Sequence, residues 1–181
     1  MKKLLFAAIA ILGFSAVSFG QPGNTATATV GGTIITPITI TKNADMNFGT
    51  VLASAAGTVV LIPGVANPTY TGVSHYGGLG TVAPSTAQFT VNGNFSNAYS
   101  ISVTNLPTTV VNGGATMAVG TWTMATANNF SYTGATGSGS GTLSASGVQT
   151  FEIGATLTVA AGQTAGTYTA AAPINIIVNY N

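Results

Sequence analysis

The side chains that could carry chemistry in this chain are few and scattered. Across 181 residues there are three lysines, no arginine, two acids, one histidine and no cysteine. Lys2 and Lys3 stand at the very start, which leaves Lys42, Asp45, His75 and Glu152, besides the tyrosines, for everything after it. Acid–base hydrolysis by a carboxylate pair would need Asp45 and Glu152 to meet from segments far apart in sequence. A Ser–His–acid triad would have to be built on His75. A zinc ion takes about four ligands, and only His75, Asp45 and Glu152 are on offer as side chains. His75 stands in a glycine-rich segment, His75-Tyr76-Gly77-Gly78, where an exposed loop histidine is expected. No lysine follows the glycine-rich stretch 134–141, so it is not a phosphate cradle. A single lysine cannot make a basic patch for nucleic acid. Lys42 and Asp45, close in sequence, suit a local ion pair. We read the chain as a non-enzyme with no metal, no cofactor and no nucleic-acid partner. Its work then falls to its backbone and its apolar faces.

The elements that would present those faces come after an export signal. Met1-Lys2-Lys3 is a basic opening, Leu4 to Phe14 is an apolar run too short to span a bilayer, and Ser18-Phe19-Gly20 supplies small residues for cleavage. Residues 1–20 therefore read as a signal peptide, cut before Gln21. No later segment is apolar enough for a transmembrane helix. The expected route is export, through a periplasm in transit, to the cell surface or the extracellular space. Without cysteine there is neither a lipid-attachment site nor a disulfide framework. So low a charge also removes a common protection against association.

After Gln21 the chain is dominated by Thr, Val, Ile, Gly, Asn and Ser, the residues of strands and turns. Thr25 to Ile40 alternates with period two: Ala26, Ala28, Val30, Gly32, Ile34, Ile38 and Ile40 on one face and threonine on most of the other. Pro37 divides it into two extended pieces or makes it an edge strand. Further strands are expected at Met46–Val51, Gly57–Ile62, Ala87–Val91, Tyr99–Val103, Ala115–Met124, Gly141–Leu143, Val148–Val159, Thr167–Thr169 and Ile174–Tyr180. Met117, Val119 and Thr121 would share a face, with Phe48 and Trp122 in the core. Pro63 to Pro84 reads as a projecting loop, and Gly134 to Gly141 as a glycine-serine loop. The last strand is the cleanest, with Ile174, Ile176, Val178 and Tyr180 on one face. Short strands between Gly, Asn and Pro clusters predict an all-β antiparallel sandwich. The organisation expected is a signal peptide (1–20), an N-terminal extension (21–33) and one sandwich domain (34–181).

Asp45-Met46-Asn47-Phe48-Gly49-Thr50-Val51 resembles a segment of pilin-type domains, and through it the spore coat U-like pilins of archaic chaperone–usher systems. The series Pro37–Ile40, Asn47–Gly49, Gly154–Leu157, Ala165–Tyr168 and Val178–Asn181 is similar to that of a family of secreted bacterial proteins known only as a domain of unknown function. That likeness spans nearly all of the chain after Gln21 and carries no function with it. The pilin likeness implies an incomplete immunoglobulin-like sandwich, completed by the N-terminal extension of the next subunit. Ala26, Ala28, Val30, Gly32 and Ile34 would then be the inserting face of a donor strand. Ile174, Ile176, Val178 and Tyr180 would form the edge gripped by a periplasmic chaperone and later bordering the groove. The expectation is an exported structural or adhesive subunit of the cell surface, assembling with copies of itself or related subunits into fimbria-like fibres. Two alternatives stand beside it. The extension can pair within its own chain, closing the sandwich. Or the protein is a monomeric secreted module for glycans or a crystalline surface, using Thr-x-Thr rows such as Thr25-Ala26-Thr27-Ala28-Thr29 and the rings of Tyr70, Tyr76 and Trp122. Both alternating end segments are free of charge, from Gln21 to Thr41 and after Glu152.

Overall fold

The computed structural model describes residues 23–125 and 128–181. The predicted signal peptide and its cleavage site lie outside the described residues. The chain is all-β, as its composition predicts, and among the described residues no helix is long and apolar enough to cross a membrane. The strands are β1 (Thr39–Ala44), β2 (Val51–Leu52), β3 (Gly57–Val60), β4 (Thr69–Thr71), β5 (Ser74–His75), β6 (Ala87–Asn92) and β7 (Ala98–Asn105). They continue with β8 (Thr109–Asn112), β9 (Ala115–Ala125), β10 (Asn128–Thr133), β11 (Thr136–Thr142), β12 (Val148–Val159) and β13 (Asn175–Tyr180).

The long strand β12 organises the larger sheet. On one side its first half pairs with β6, from Val148 opposite Asn92 to Ile153 opposite Ala87, and its second half pairs with β3. Its other side pairs with β9. β1 lies outside β6, β4 outside β3 and β8 outside β9, every pair antiparallel. The change of partner falls at Gly154, where a methyl group would run into the Leu61 carbonyl. The Leu61 N–H donates to the Ala155 carbonyl at 2.9 Å, so the two backbones meet where no side chain intervenes. The second sheet runs β10-β11-β7-β13, and β2 with β5 makes a small ribbon.

Alternate residues of both sheets fill one core. Val91, Phe151, Ile153 and Leu157 enter from the larger sheet, and Tyr99, Ile101, Val103 and Val178 from the smaller. Phe89 and Phe151, opposite one another on β6 and β12, stack with ring centroids 5.5 Å apart. Burial of each such large side chain contributes roughly 1.5–3 kcal/mol. The Tyr99 phenol is pushed up to about 12 by burial and stays protonated, donating to Gln149 Oε1 at 2.7 Å.

Several expectations from sequence are corrected here. The glycine-serine stretch is not a loop but most of β11, paired with β7 and with β10. Its glycines lie where rings need the space: a methyl on Gly137 would press on Phe130, and one on Gly141 would overlap Tyr99 and Gln149. Strands β8 and β10 were not anticipated. Met46–Val51 reduces to an isolated bridge, Asn47 to Ser85, and the first residue of β2. Thr167–Thr169 reduces to a bridge between Thr169 and Val111. The stretch Pro63 to Pro84 carries β4 and β5. Residues 23–38 belong to no strand, so the alternation becomes a strand only from Thr39.

On β9 the alternation breaks at a bulge. Gly154 faces Thr123 and Thr156 faces Gly120, so Thr121 and Trp122 oppose the single residue Ala155. Thr121 takes φ 50°, and the extra residue turns Trp122, rather than Thr121, into the core. A β-branched residue in the left-handed region costs roughly 1–2 kcal/mol. Thr121→Gly is expected to raise stability by about 1 kcal/mol, read from the urea unfolding midpoint.

Candidate assembly edge

The residues with chemical potential are dispersed over the fold. Lys42 Nζ and Asp45 Oδ1 form an exposed ion pair at 2.6 Å, as their spacing suggests. His75 is exposed on β5 with its ring centroid 6.0 Å from that of Tyr70. Glu152 accepts three hydrogen bonds, from Gly64 N–H at 2.8 Å, Thr86 Oγ1 at 2.9 Å and Gln88 Nε2 at 3.1 Å. Its carboxylate pins the turn after β3 to the face of β6 and β12. The Gly64 N–H is the main cause holding its pKa below the ordinary carboxylate value, with Thr86 and Gln88 adding to it against partial burial.

A carboxylate with a depressed folded pKa stabilises the fold above its unfolded pKa and loses that contribution as pH falls through the folded value. Glu152→Gln is therefore expected to cost about 1–2 kcal/mol at about pH 7, and the difference between the two proteins is expected to shrink as the pH falls through the folded pKa of Glu152. Denaturant titrations of both proteins along a series of falling pH values measure it.

The candidate site for strand addition is a sheet edge. β13 pairs with β7 on one side, and among the described residues no strand lies on its other side. Asn181 N–H donates to the Ala98 carbonyl at 3.3 Å, which fixes the phase of the ladder. Alternate residues Ile177 and Asn179 then turn their backbone groups toward β7, and Ile176, Val178 and Tyr180 turn theirs to the open side. Val178 is buried, Ile174, Ile176 and Tyr180 are half-buried, and all four pack against the core. β1, with half-buried Ile40, lies at the facing edge of the larger sheet, and half-buried Ile38 precedes it. The four β-edge residues named from sequence thus share one seam.

Tyr180 fixes one end of that seam. Its hydroxyl donates to the Thr36 carbonyl at 2.6 Å and accepts the Asn94 N–H at 2.5 Å. Gly93 makes room for it, since a methyl there would overlap the same hydroxyl. The chain just before β1 is therefore held at the C-terminal end of β13. Sequence reading placed Tyr180 on this edge but missed that role, which depends on two partners remote in sequence.

The other sheet edges are each blunted. β1 carries Lys42 and a register break between Lys42 and Ala44. β4 has three residues. β8 has four and is covered at Val111 by Thr169. β9 is bulged at Thr121, and β10 breaks register between Asn128 and Ser131. From Ile176 to Tyr180 the register of β13 is unbroken, with no charge and no proline. Short edges, charges, prolines and bulges are the usual defences against unwanted strand pairing; β13 has one register shift, between Asn175 and Ile176, and none of the others from there to Tyr180.

The described residues before Ile35 are a separate unit. Residues 23–34 are all exposed and belong to no strand, with Val30 99 % and Ile34 100 % exposed. Ala26, Ala28, Val30, Gly32 and Ile34 are thus not part of the core of their own chain.

Other sequence motifs have structural reasons. Asn47 Oδ1 accepts the Gly49 N–H at 2.8 Å, closing a turn in which Gly49 has φ 80°. Tyr168 hydroxyl donates to the Thr164 carbonyl at 2.7 Å. Residues 38–180 match the family described as Domain of unknown function (DUF4402), and the chain belongs to that family. No curated protein and no solved structure matches it.

Proposed function

We propose that this member of the family is an exported structural subunit of a surface fibre or coat, in which residues 26–34 of one copy add as a strand to β13 of the next. The immunoglobulin-like, pilin-like build and the use of a periplasmic chaperone belong to the same reading. The observation that carries it is the pairing of two features: the edge strand β13 runs from Ile176 to Tyr180 in unbroken register without charge or proline, and an uncharged alternating segment of the same chain stands exposed. Strand addition would satisfy the outward backbone groups of Ile176, Val178 and Tyr180 and bury Val30 and Ile34 in the seam.

Chain polarity favours exchange between copies over self-pairing. Thr36 is held at the C-terminal end of β13. An extension folding back from there along its own β13 would run parallel to it, after a reversal through Ile35 to Pro37. Supplied by another copy, the same segment is free to pair antiparallel, which is slightly the more stable ladder.

A form lacking residues 21–32 tests this, because among the described residues the core draws on none before Ile38. The chain from Gln21 is expected to form polymers by electron microscopy and sedimentation. The shortened form is expected to stay monomeric and to bind a peptide of residues 21–34. If both forms are monomeric and the peptide does not bind, the proposal is wrong.

One observation favours a second reading, a monomeric module for glycans or a crystalline surface. On the smaller sheet Ser138 faces Ser102 and Ser140 faces Ser100 in register, backed by the glycines of β11, which makes a flat hydroxyl-bearing patch. A glycan or ice-recrystallisation screen on the shortened form addresses it.

A further inference from the structure

We infer that the lobe projecting at one end of the sandwich docks on the turns at the opposite end of the next copy, so that assembly adds an end-to-end contact to the strand exchange. The inference rests on the strand-exchange reading above.

The lobe follows β1 and precedes β6. It is closed by the Asn47–Ser85 bridge, beyond the last β1–β6 pair, Ala44 opposite Gln88. β2 and β5 form it, with Tyr76 N–H donating to the Thr50 carbonyl at 2.9 Å and Thr50 N–H to the Val82 carbonyl at 3.1 Å. These bonds hold Leu52, Tyr76 and Val82 in one lobe, each more than half exposed, with Leu79 fully exposed on the turn that returns to Val82. Between Asn47 and Ser85 the ionisable side chains are Tyr70, His75 and Tyr76, and there is no Lys, Arg, Asp or Glu. Four large apolar residues stand exposed on this one lobe, which has no charged side chain, and such a concentration of exposed apolar surface suits an interaction site.

The other end of the sandwich is built from the turns after β6 and after β11. Gly93 N–H donates to the Gly147 carbonyl at 2.9 Å and Ser96 N–H to the Ser144 carbonyl at 3.0 Å, which joins the two turns. Phe95 and Val148 are exposed there, and residues 93–97 and 144–148 hold no ionisable group.

Strand direction brings these two ends together. The first β1–β6 pair, Thr39 opposite Asn92, lies at the Phe95 end, where Tyr180 holds Thr36. The lobe lies at the far end of β1, and β13 begins at that same end, with Asn175 opposite Asn105. An extension lying antiparallel on another copy's β13 has its last residues at the start of β13, beside the lobe. Matching the alternating faces places Ile34 opposite Ile174, Gly32 opposite Ile176, Val30 opposite Val178 and Ala28 opposite Tyr180. Between Ile34 and the fixed Thr36 only about 7 Å of chain remains. The donor's Phe95 end is thereby drawn onto the acceptor's lobe. Because the two surfaces differ, the contact is heterologous and repeats without closing, as a fibre requires.

The absence of native cysteine permits a direct test by disulfide trapping. Single-thiol variants of the chain from Gln21 are mixed in pairs, oxidised and separated without reductant. Leu79→Cys with Phe95→Cys is expected to give a mixed adduct in roughly tenfold excess over either self-adduct, as a heterologous contact demands. Gly31→Cys with Ile177→Cys reports the strand exchange separately, since the register above sets these outward positions opposite each other. If that strand pair links while Leu79→Cys and Phe95→Cys do not, end-to-end docking is overturned and strand exchange stands. If self-linking of Leu79→Cys dominates, the contact is lobe-to-lobe and the inference is equally wrong. If neither mixed pair links, both readings fall.

Discussion

A chain with aspartate in place of both Val30 and Ile34 keeps the fold of its parent and forms no fibres. Both side chains are fully exposed and outside the core, so within one subunit the change is a surface substitution worth at most about 0.5 kcal/mol. In the assembled state both positions would be buried against Ile174, Ile176 and Val178. Each substitution then forfeits roughly 1.5–3 kcal/mol of apolar burial and adds the cost of desolvating a carboxylate. Together they weaken the contact by more than about a thousandfold. Coincident thermal melts of the two proteins, with sedimentation showing only monomer for the variant, are the expected result. The milder Ile34→Val is expected to shift the critical concentration for assembly by about fivefold, because it removes about one methylene of burial.

The largest effect on the fold itself is expected at Phe151. The ring is 1 % exposed, stacks on Phe89 and sits on β12, to which β6 and β9 are both bonded. Phe151→Ala is expected to destabilise by about 3–5 kcal/mol, a large share of the roughly 5–15 kcal/mol that holds such a domain together. Urea unfolding followed by Tyr and Trp fluorescence measures it. Phe95→Ala, on an exposed turn, is expected to change the same midpoint by no more than about 0.5 kcal/mol. The two phenylalanines are alike in composition and separate only by where the strands place them.

That contrast shows what the sequence could disclose. The terminal strand was legible because Ile174, Ile176, Val178 and Tyr180 alternate without interruption, and one face of a half-buried strand must be apolar. β6, β7 and β12 were legible on the same ground. β11 was not, because Gly137 and Gly141 have poor strand propensity and are required only by the rings of Phe130 and Tyr99, which come from elsewhere in the chain. The bulge at Thr121 was hidden for a like reason, since a one-residue slip leaves no local trace until its partner strand is known. In the extension the alternation is equally clear, but periodicity names a face and not the chain against which it packs. Tyr180's grip on Thr36 and Asn94, which holds the chain just before β1, is a tertiary fact that no local pattern carries.

The scarcity of charge takes on a definite meaning once the edges are compared. Lys42 sits on the defended edge β1, and Glu152 is spent inside the larger sheet holding the turn at Gly64. Neither charge lies on β13 or on the extension, so nothing there opposes the approach of another uncharged strand.

The central claim is that the open side of β13 receives another copy's extension, and amide hydrogen exchange tests it residue by residue. In the assembled protein the amides of Ile176, Val178 and Tyr180 are expected to exchange at least about a hundredfold more slowly than in the Val30→Asp, Ile34→Asp chain. Those of Ile177 and Asn179, already turned toward β7, are expected to change far less. Equal exchange at Ile176, Val178 and Tyr180 in the two proteins would contradict the account.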